Sequence, residues 1–126
     1  MKRVLVVDDD PDMRELLCAH LEEAGYRAEP ACNGSDALKK HQQRDCSLAV
    51  VDIFMPDKDG LETIAALRQQ QPRLPILAIS GGGSFPPTPW LSVARRLGAD
   101  NILEKPFTSE AFLASVKALL ETKSDA

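Results

Sequence analysis

The sequence lacks the features that mark several broad classes of protein. Its apolar runs fall far short of the roughly 18 residues that a membrane span needs. Its three cysteines form no C-x-x-C pair and its two histidines stand apart, which argues against a disulfide framework and a zinc site. A net charge of -4 offers no basic footprint for nucleic acid, and the first residues are too weakly apolar for a secretion signal. We therefore expect a cytoplasmic protein with no membrane segment and no direct binding to nucleic acid.

What is present is an ordinary globular composition in 126 residues, a length that suits one domain with a single core. The sequence shows no internal repeat and no low-complexity linker. We assign residues 1–122 to this domain and expect residues 123–126 to be a disordered tail.

Short apolar runs alternate with segments of helical period. Continuous apolar runs at residues 4–7, 48–51 and 76–79 predict strands that are buried on both faces. Residues 26–31 alternate between polar and apolar, as a half-exposed edge strand does, and residues 101–103 predict a brief fifth strand.

Capping residues mark the first and last helices. Asp10 precedes a proline suited to the first helical position, and Gly25 closes that helix. Thr108 precedes the last helix, with Phe107 and Phe112 at the spacing of a hydrophobic staple.

The three middle helices have less definite ends. Ser35 is the predicted cap of a helix over residues 36–43, and an apolar stripe over residues 61–68 predicts the third helix. Residues 81–89 contain three glycines and three prolines, which predict a long mobile loop rather than a helix. A helix then resumes over residues 90–97.

Five strands alternating with five helices predict an α/β doubly wound parallel sheet of flavodoxin-like order 2-1-3-4-5. Polar side chains follow the strands at their carboxyl ends: Asp8 and Asp9 after the first, Asp52 after the third, Ser80 after the fourth and Lys105 after the fifth. Because these ends share one edge of the sheet, three carboxylates, a hydroxyl and an ammonium converge there.

Such a convergence predicts phosphoryl chemistry with a divalent cation. Three crowded carboxylates repel one another unless a cation neutralises them, and Mg²⁺ is bound by carboxylates, waters and phosphate oxygens. Asp52 could then act as an in-line nucleophile that forms an acyl phosphate, while Lys105 offers a charge and Ser80 a hydroxyl to the phosphoryl group.

Four motifs resemble one family. VLVVDDDPDMRELL near the start, VVDIFMPDKDGLE in the middle, AIS at Ser80 and LEKPF around Lys105 are similar to the receiver domain of two-component response regulators. The resemblance covers residues 2–121. All five functional residues occur in order at strand ends, which makes the set far more specific than any one piece.

The resemblance implies roles for the metal ligands and the acceptor. Asp52 would be the phosphoacceptor, taking its group from the histidine of a sensor kinase or phosphotransfer protein. Asp9 would bind Mg²⁺ directly and Asp8 through water, with Asp52 and the main-chain carbonyl of Phe54 completing the protein ligands.

The resemblance also implies a switch. Ser80 would move toward the phosphoryl group and Lys105 would pair with it, while Lys105 and Pro106 are expected to share a cis peptide bond. Pro56 and Gly60 would shape the loop that covers the site.

Three departures from the family pattern bear on switching. Ile102 stands where many members carry a switching aromatic, and the glycine- and proline-rich loop after Ser80 is longer than usual. Phe54 stands where a polar side chain is common, so it could shield an acyl phosphate from water or simply be an exposed aromatic.

The predicted function is a phosphorylation-controlled switch, as a stand-alone or isolated receiver that acts on an unknown output protein, either as a monomer or as a dimer that depends on phosphorylation. It would assist its own phosphorylation and dephosphorylation without being a classical enzyme. Three alternatives remain: a relay to another histidine, a non-phosphorylated protein-binding module, and a small acyl-phosphate hydrolase. The intact acceptor residues argue against the second, and the lack of an acid for the leaving group argues against the third.

Overall fold

The computed structural model describes residues 2–53, 59–80 and 88–124, and within them five strands alternate with five helices. The strands are β1 (Arg3–Val7), β2 (Arg27–Ala31), β3 (Leu48–Asp52), β4 (Ile76–Ser80) and β5 (Asn101–Glu104). The helices are α1 (Pro11–Glu23), α2 (Gly34–Gln43), α3 (Asp59–Gln70), α4 (Thr88–Leu97) and α5 (Ser109–Ser124).

All strand pairs are parallel and the order is β2-β1-β3-β4-β5, so the predicted doubly wound α/β fold is confirmed. The register pairs Val7 with Val51 and Asp52 with Ile79. The carboxyl ends of β1, β3 and β4 therefore lie side by side, and the order of connection reverses between β1 and β3.

Apolar side chains of the strands alternate between two buried clusters, one on each face of the sheet. The first cluster joins Leu5 and Val51 to residues of α2, α3 and α4. The second joins Val50 to α1 and α5, and it contains Phe112, the largest fully buried side chain. Burial on both faces explains why the central strands are continuous apolar runs in the sequence.

The predicted N-caps of α1 and α5 are confirmed, while the C-cap of α1 is Ala24 rather than the predicted Gly25, which follows it with a positive φ. The Asp10 side chain accepts a hydrogen bond from the main-chain N–H of Asp12 at 3.0 Å, and the Thr108 hydroxyl accepts one from Ala111 at 3.0 Å. The rings of Phe107 and Phe112 stack with centroids 6.0 Å apart, which is the expected hydrophobic staple.

The start of α2 corrects one prediction. Asn33, rather than Ser35, is the N-cap, because its side chain accepts a hydrogen bond from the Asp36 N–H at 2.8 Å. The Asp36 carboxylate in turn accepts the N–H of Cys32 at 3.2 Å. With Asn33 as the N-cap, Ser35 lies inside the first turn of the helix.

The start of α4 corrects another prediction. Thr88 and Pro89 belong to α4 rather than to the preceding loop. A proline is tolerated there because the first helical N–H groups have no partner within the helix. The rest of the predicted loop, residues 81–87, lies outside the described residues.

The end of α5 differs from the predicted tail. The helix continues to Ser124, so Lys123 and Ser124 are helical, while residues 125–126 lie outside the described part of the chain. Among the described helices, none combines the length and apolar character that a membrane crossing requires.

Candidate phosphoryl and metal site

Three carboxylates meet at the carboxyl edge of the sheet. One carboxylate oxygen each from Asp8, Asp9 and Asp52 lies within 4.8 Å of the other two. Asp8 and Asp52 are buried, with 1% and 4% of their surface exposed, whereas Asp9 is exposed. The convergence that the sequence predicts is therefore present in the fold.

The two oxygens of Asp8 have different surroundings. Oδ1 accepts a hydrogen bond from the Asp10 N–H at 3.0 Å, while Oδ2 is buried and has no hydrogen-bond partner among the described residues. Burial raises the pKa of Asp8 to about 6 and the nearby Asp52 charge adds to the rise, while the Asp10 hydrogen bond and Lys105 act in the opposite direction. An unpartnered buried oxygen is costly in free energy, so this carboxylate is suited to receive a further partner.

Lys105 brings the compensating charge. Its Nζ lies 3.4 Å from Asp52 Oδ2, and its main-chain N–H donates to the Ser80 carbonyl at 2.8 Å. The peptide bond between Lys105 and Pro106 is cis, as expected. The lysine therefore joins the ends of β4 and β5 to the carboxylate at the end of β3.

Ser80 lies at the same edge as the last residue of β4, with 7% of its surface exposed. Ile102 is partly buried and packs against the cluster that contains Leu5 and Val51. The predicted roles of Phe54 and Pro56 fall on residues 54–58, which lie outside the described residues.

Gly60 fits closely beneath the site. A Cβ atom at Gly60 would lie 2.2 Å from the Asp52 carbonyl oxygen and 2.6 Å from the Ile53 Cα. Because both neighbours are main-chain atoms, any larger residue would force α3 and the end of β3 apart. The absent side chain thus lets α3 begin directly against the end of β3.

Sequence reasoning overlooked Arg14. Its guanidinium donates a hydrogen bond to the Asp8 carbonyl at 2.7 Å from the first turns of α1. The available signal was the position of Arg14 one turn after the helix cap, from which a long side chain can reach back toward the end of β1.

The carboxylate set fits a hard divalent cation. The three carboxylates supply negatively charged oxygen ligands at a spacing that suits such an ion. Among the described residues, the buried Asp8 Oδ2 accepts no hydrogen bond and is therefore available as a ligand. The cluster could therefore hold a metal ion, with Asp8, Asp9 and Asp52 as its side-chain ligands.

Together the fold and the site define a flavodoxin-like α/β domain with an acidic pocket at its switch point. A family model described as the response regulator receiver domain matches residues 4–117. The chain therefore belongs to the family of response regulator receiver domains, which act in two-component signalling and are not classical enzymes.

Individual relatives agree with this assignment. The alkaline phosphatase synthesis transcriptional regulatory protein PhoP of Bacillus subtilis (strain 168) is 38% identical over 120 residues, or 94% of this chain and 48% of that protein. The C4-dicarboxylate transport transcriptional regulatory protein DctD of Pseudomonas aeruginosa is 40% identical over 123 residues, or 96% of this chain and 26% of that protein. The chain thus spans about half or less of the length of these curated relatives.

Solved structures show the same fold. The crystal structure of a CheY-like response regulator receiver domain protein from Methanospirillum hungatei JF-1 matches with a TM-score of 0.90 at 27% identity. The match covers 99% of this chain and 98% of that one, so the whole architecture is shared.

Proposed function

We propose that the chain is a phosphorylation-controlled switch in which Asp52 accepts a phosphoryl group from a phosphohistidine of a sensor kinase or phosphotransfer protein. The observation that carries this proposal is the position of Asp52, which lies 3.4 Å from the Lys105 ammonium and within 4.8 Å of the carboxylates of Asp8 and Asp9. A phosphoryl group on Asp52 would therefore have both a cation and metal ligands beside it.

Among the three carboxylates, Asp52 is the best placed to be the acceptor. Asp8 has one oxygen committed to the Asp10 N–H, and Asp9 is exposed. Asp52 ends the central strand and is the carboxylate that contacts Lys105. Attack by an Asp52 oxygen forms an O–P bond while the P–N bond to the donor histidine breaks, and the electron pair of that bond returns to the imidazole nitrogen.

The side chains around Asp52 would bind the phosphoryl group and the cation. Lys105 would pair with a phosphoryl oxygen, and Ser80 would donate its hydroxyl to the same group. We assign the resident cation as Mg²⁺, which Asp8, Asp9, Asp52 and the main-chain carbonyl of Phe54 would hold. When bound, it would neutralise charge on the phosphoryl oxygens during transfer.

Phosphorylation would change the surface around α4 and β5. Lys105 and Ser80 lie at the ends of β5 and β4, so a phosphoryl group that draws both side chains inward alters the two segments that frame α4. An output protein that binds this face would then distinguish the two states, whether the chain acts as a monomer or as a dimer. Direct binding to nucleic acid is not part of the proposal, since the net charge is -4.

We further propose that the chain works in the cytoplasm as a stand-alone or isolated receiver and assists its own phosphorylation and dephosphorylation.

The test is phosphotransfer from a purified, phosphorylated histidine-containing donor, followed by intact-mass measurement. Wild-type protein should gain one phosphoryl group in the presence of Mg²⁺ and none with excess chelator. Asp52→Asn should gain none under either condition, while Asp45→Asn, which changes an exposed aspartate elsewhere, should behave as wild type. Equal labelling of Asp52→Asn and wild type would refute the proposal.

A further inference from the structure

The carbonyl of Asp8 has an unusual hydrogen-bond donor. The ladders of β1 with β2 and with β3 end at Val7, so the Asp8 carbonyl lies beyond the last paired residue. The guanidinium of Arg14 donates to this oxygen at 2.7 Å. A main-chain carbonyl at the end of a buried strand needs such a donor, and here a side chain supplies it.

Three further hydrogen bonds hold the turn between β1 and α1. The Asp8 N–H donates to the Ala31 carbonyl at 3.2 Å, and the Asp10 N–H donates to Asp8 Oδ1 at 3.0 Å. Arg14 also donates its own N–H to the Asp10 carbonyl at 2.9 Å, which fixes it in the first turn of α1. The Asp8 peptide is therefore held from the strand side by Ala31 and from the helix side by Arg14.

We propose that Arg14 is a positioning residue for the cation site, because it fixes the turn that directs the carboxylates of Asp8 and Asp9 toward Asp52. In this role Arg14 acts on the main chain of Asp8, through the hydrogen bond from its guanidinium, rather than as a metal ligand itself. This inference rests on the proposed function, since it concerns the affinity of the same site for Mg²⁺.

If Arg14 acted only through its charge, its removal would have the opposite effect on the affinity for Mg²⁺. Removing a positive charge near an acidic cluster strengthens the attraction of the cluster for a cation. Loss of the Arg14 hydrogen bond instead frees the Asp8 peptide, so the ligands must be ordered again when the cation binds. After burial and the Asp10 hydrogen bond, the charges that most influence the pKa of Asp8 are those of Asp52 and Lys105.

The experiment is a titration with MgCl₂ of ¹⁵N-labelled full-length chain, followed by amide chemical shifts and fitted to a dissociation constant. Groups that orient metal ligands typically change metal affinity by roughly 10- to 100-fold, and since Arg14 acts on the main chain we expect Arg14→Gln to weaken binding by about fivefold to tenfold. Arg14→Lys, which keeps a cationic donor, should recover most of the affinity. Arg73→Gln removes the same charge from an exposed residue before β4, at the opposite edge of the sheet, and should match wild type.

The outcomes are separable. An unchanged or tighter dissociation constant for Arg14→Gln, with wild type binding Mg²⁺, overturns the positioning role and leaves the proposed function intact. Equal weakening by Arg14→Gln and Arg73→Gln also overturns it, since a change far from the turn would then weaken binding as much and the loss could not be assigned to the Arg14 hydrogen bond. If wild type itself shows no Mg²⁺-dependent shifts, the cation site of the proposed function fails instead. Should Arg14→Gln fail to fold, Arg14→Met, which keeps the aliphatic part of the side chain but has no hydrogen-bond donor, replaces it: weaker Mg²⁺ binding is expected, and an unchanged dissociation constant contradicts the inference.

Discussion

Replacing Asp8 by Asn should stabilise the protein when no divalent cation is present. The pKa of Asp8 is raised from 3.8 to about 6, so the folded state holds this proton more tightly than the unfolded chain does. A rise in pKa of slightly more than two units, at 1.36 kcal/mol per unit, lowers the free energy of unfolding by roughly 3 kcal/mol when the Asp8 carboxylate is ionised. Part of this penalty is repulsion between Asp8 and Asp52, and contributions of interacting residues do not simply add. We therefore expect Asp8→Asn to raise the free energy of unfolding by about 1 to 3 kcal/mol.

The sign of the pH dependence follows from the raised pKa. Below about pH 4 Asp8 is protonated in both the folded and the unfolded chain, so the folded state carries no penalty for an ionised Asp8. As the pH rises from about 4 to 6, the unfolded chain loses its proton first and the folded state becomes less stable. The advantage of Asp8→Asn over wild type should therefore be small at pH 4 and complete above pH 7.

Thermal unfolding in chelator at several pH values measures this difference. For a domain of this size a gain of 1 kcal/mol raises the Tm by roughly 4 °C, which is readily detected. Asp45→Asn, in the exposed connection between α2 and β3, is the matched control and should leave the Tm unchanged. With Mg²⁺ at ten times its dissociation constant, wild type should gain about 1.4 kcal/mol and Asp8→Asn much less.

Two results would contradict this reasoning. One is an Asp8→Asn protein that melts at or below the wild-type temperature at pH 7.5 in chelator. The other is a difference in Tm that stays constant between pH 4 and pH 7, which would mean that the burial of Asp8 and its nearness to Asp52 do not set the penalty. Asp9→Ala should show a smaller gain than Asp8→Asn, since Asp9 is exposed and its charge is better screened by water.

Gly60→Ala should lower the free energy of unfolding by about 1 to 3 kcal/mol in urea titrations, because the new Cβ would lie 2.2 Å from the Asp52 carbonyl oxygen; an unchanged midpoint would show that α3 yields freely. Arg68→Met removes hydrogen bonds to the Asp100 carboxylate at 2.8 Å and to two main-chain carbonyls, so it should cost roughly 1 to 3 kcal/mol by the same measurement. Lys105→Ala should still bind Mg²⁺, since an ammonium is not a metal ligand, yet phosphorylation should no longer shift the amide resonances of β5. Normal shifts in that variant would show that its assigned role is wrong.

Much of the fold could be predicted because local and long-range signals agree. The continuous apolar runs of β1, β3 and β4 reflect burial on both faces of the sheet, and each run ends at a polar residue. Parallel order then brings Asp8, Asp52 and Lys105 to one edge without any knowledge of their contacts. The site was predictable because it is a consequence of topology.

The parts that were missed depend on side-chain choices that spacing does not fix. Asn33 and Ser35 are both good helix caps, and the bond between Asn33 and the Asp36 N–H selects the earlier one. Spacing does not distinguish Asp8 from Asp9, yet Asp8 is buried and Asp9 is exposed. Arg14 looks like an ordinary polar helix residue until the carbonyl that it contacts is known.

The most direct test of the central proposal is to identify which aspartate carries the phosphoryl group. Wild-type protein phosphorylated in Mg²⁺ can be treated with borohydride, which reduces the acyl phosphate to a homoserine, and the modified position can be read by peptide sequencing in a mass spectrometer. We expect the modification at Asp52 alone. Modification at Asp8 or Asp9, or none in protein whose intact mass shows a phosphoryl group, would contradict the assignment of Asp52 as the acceptor.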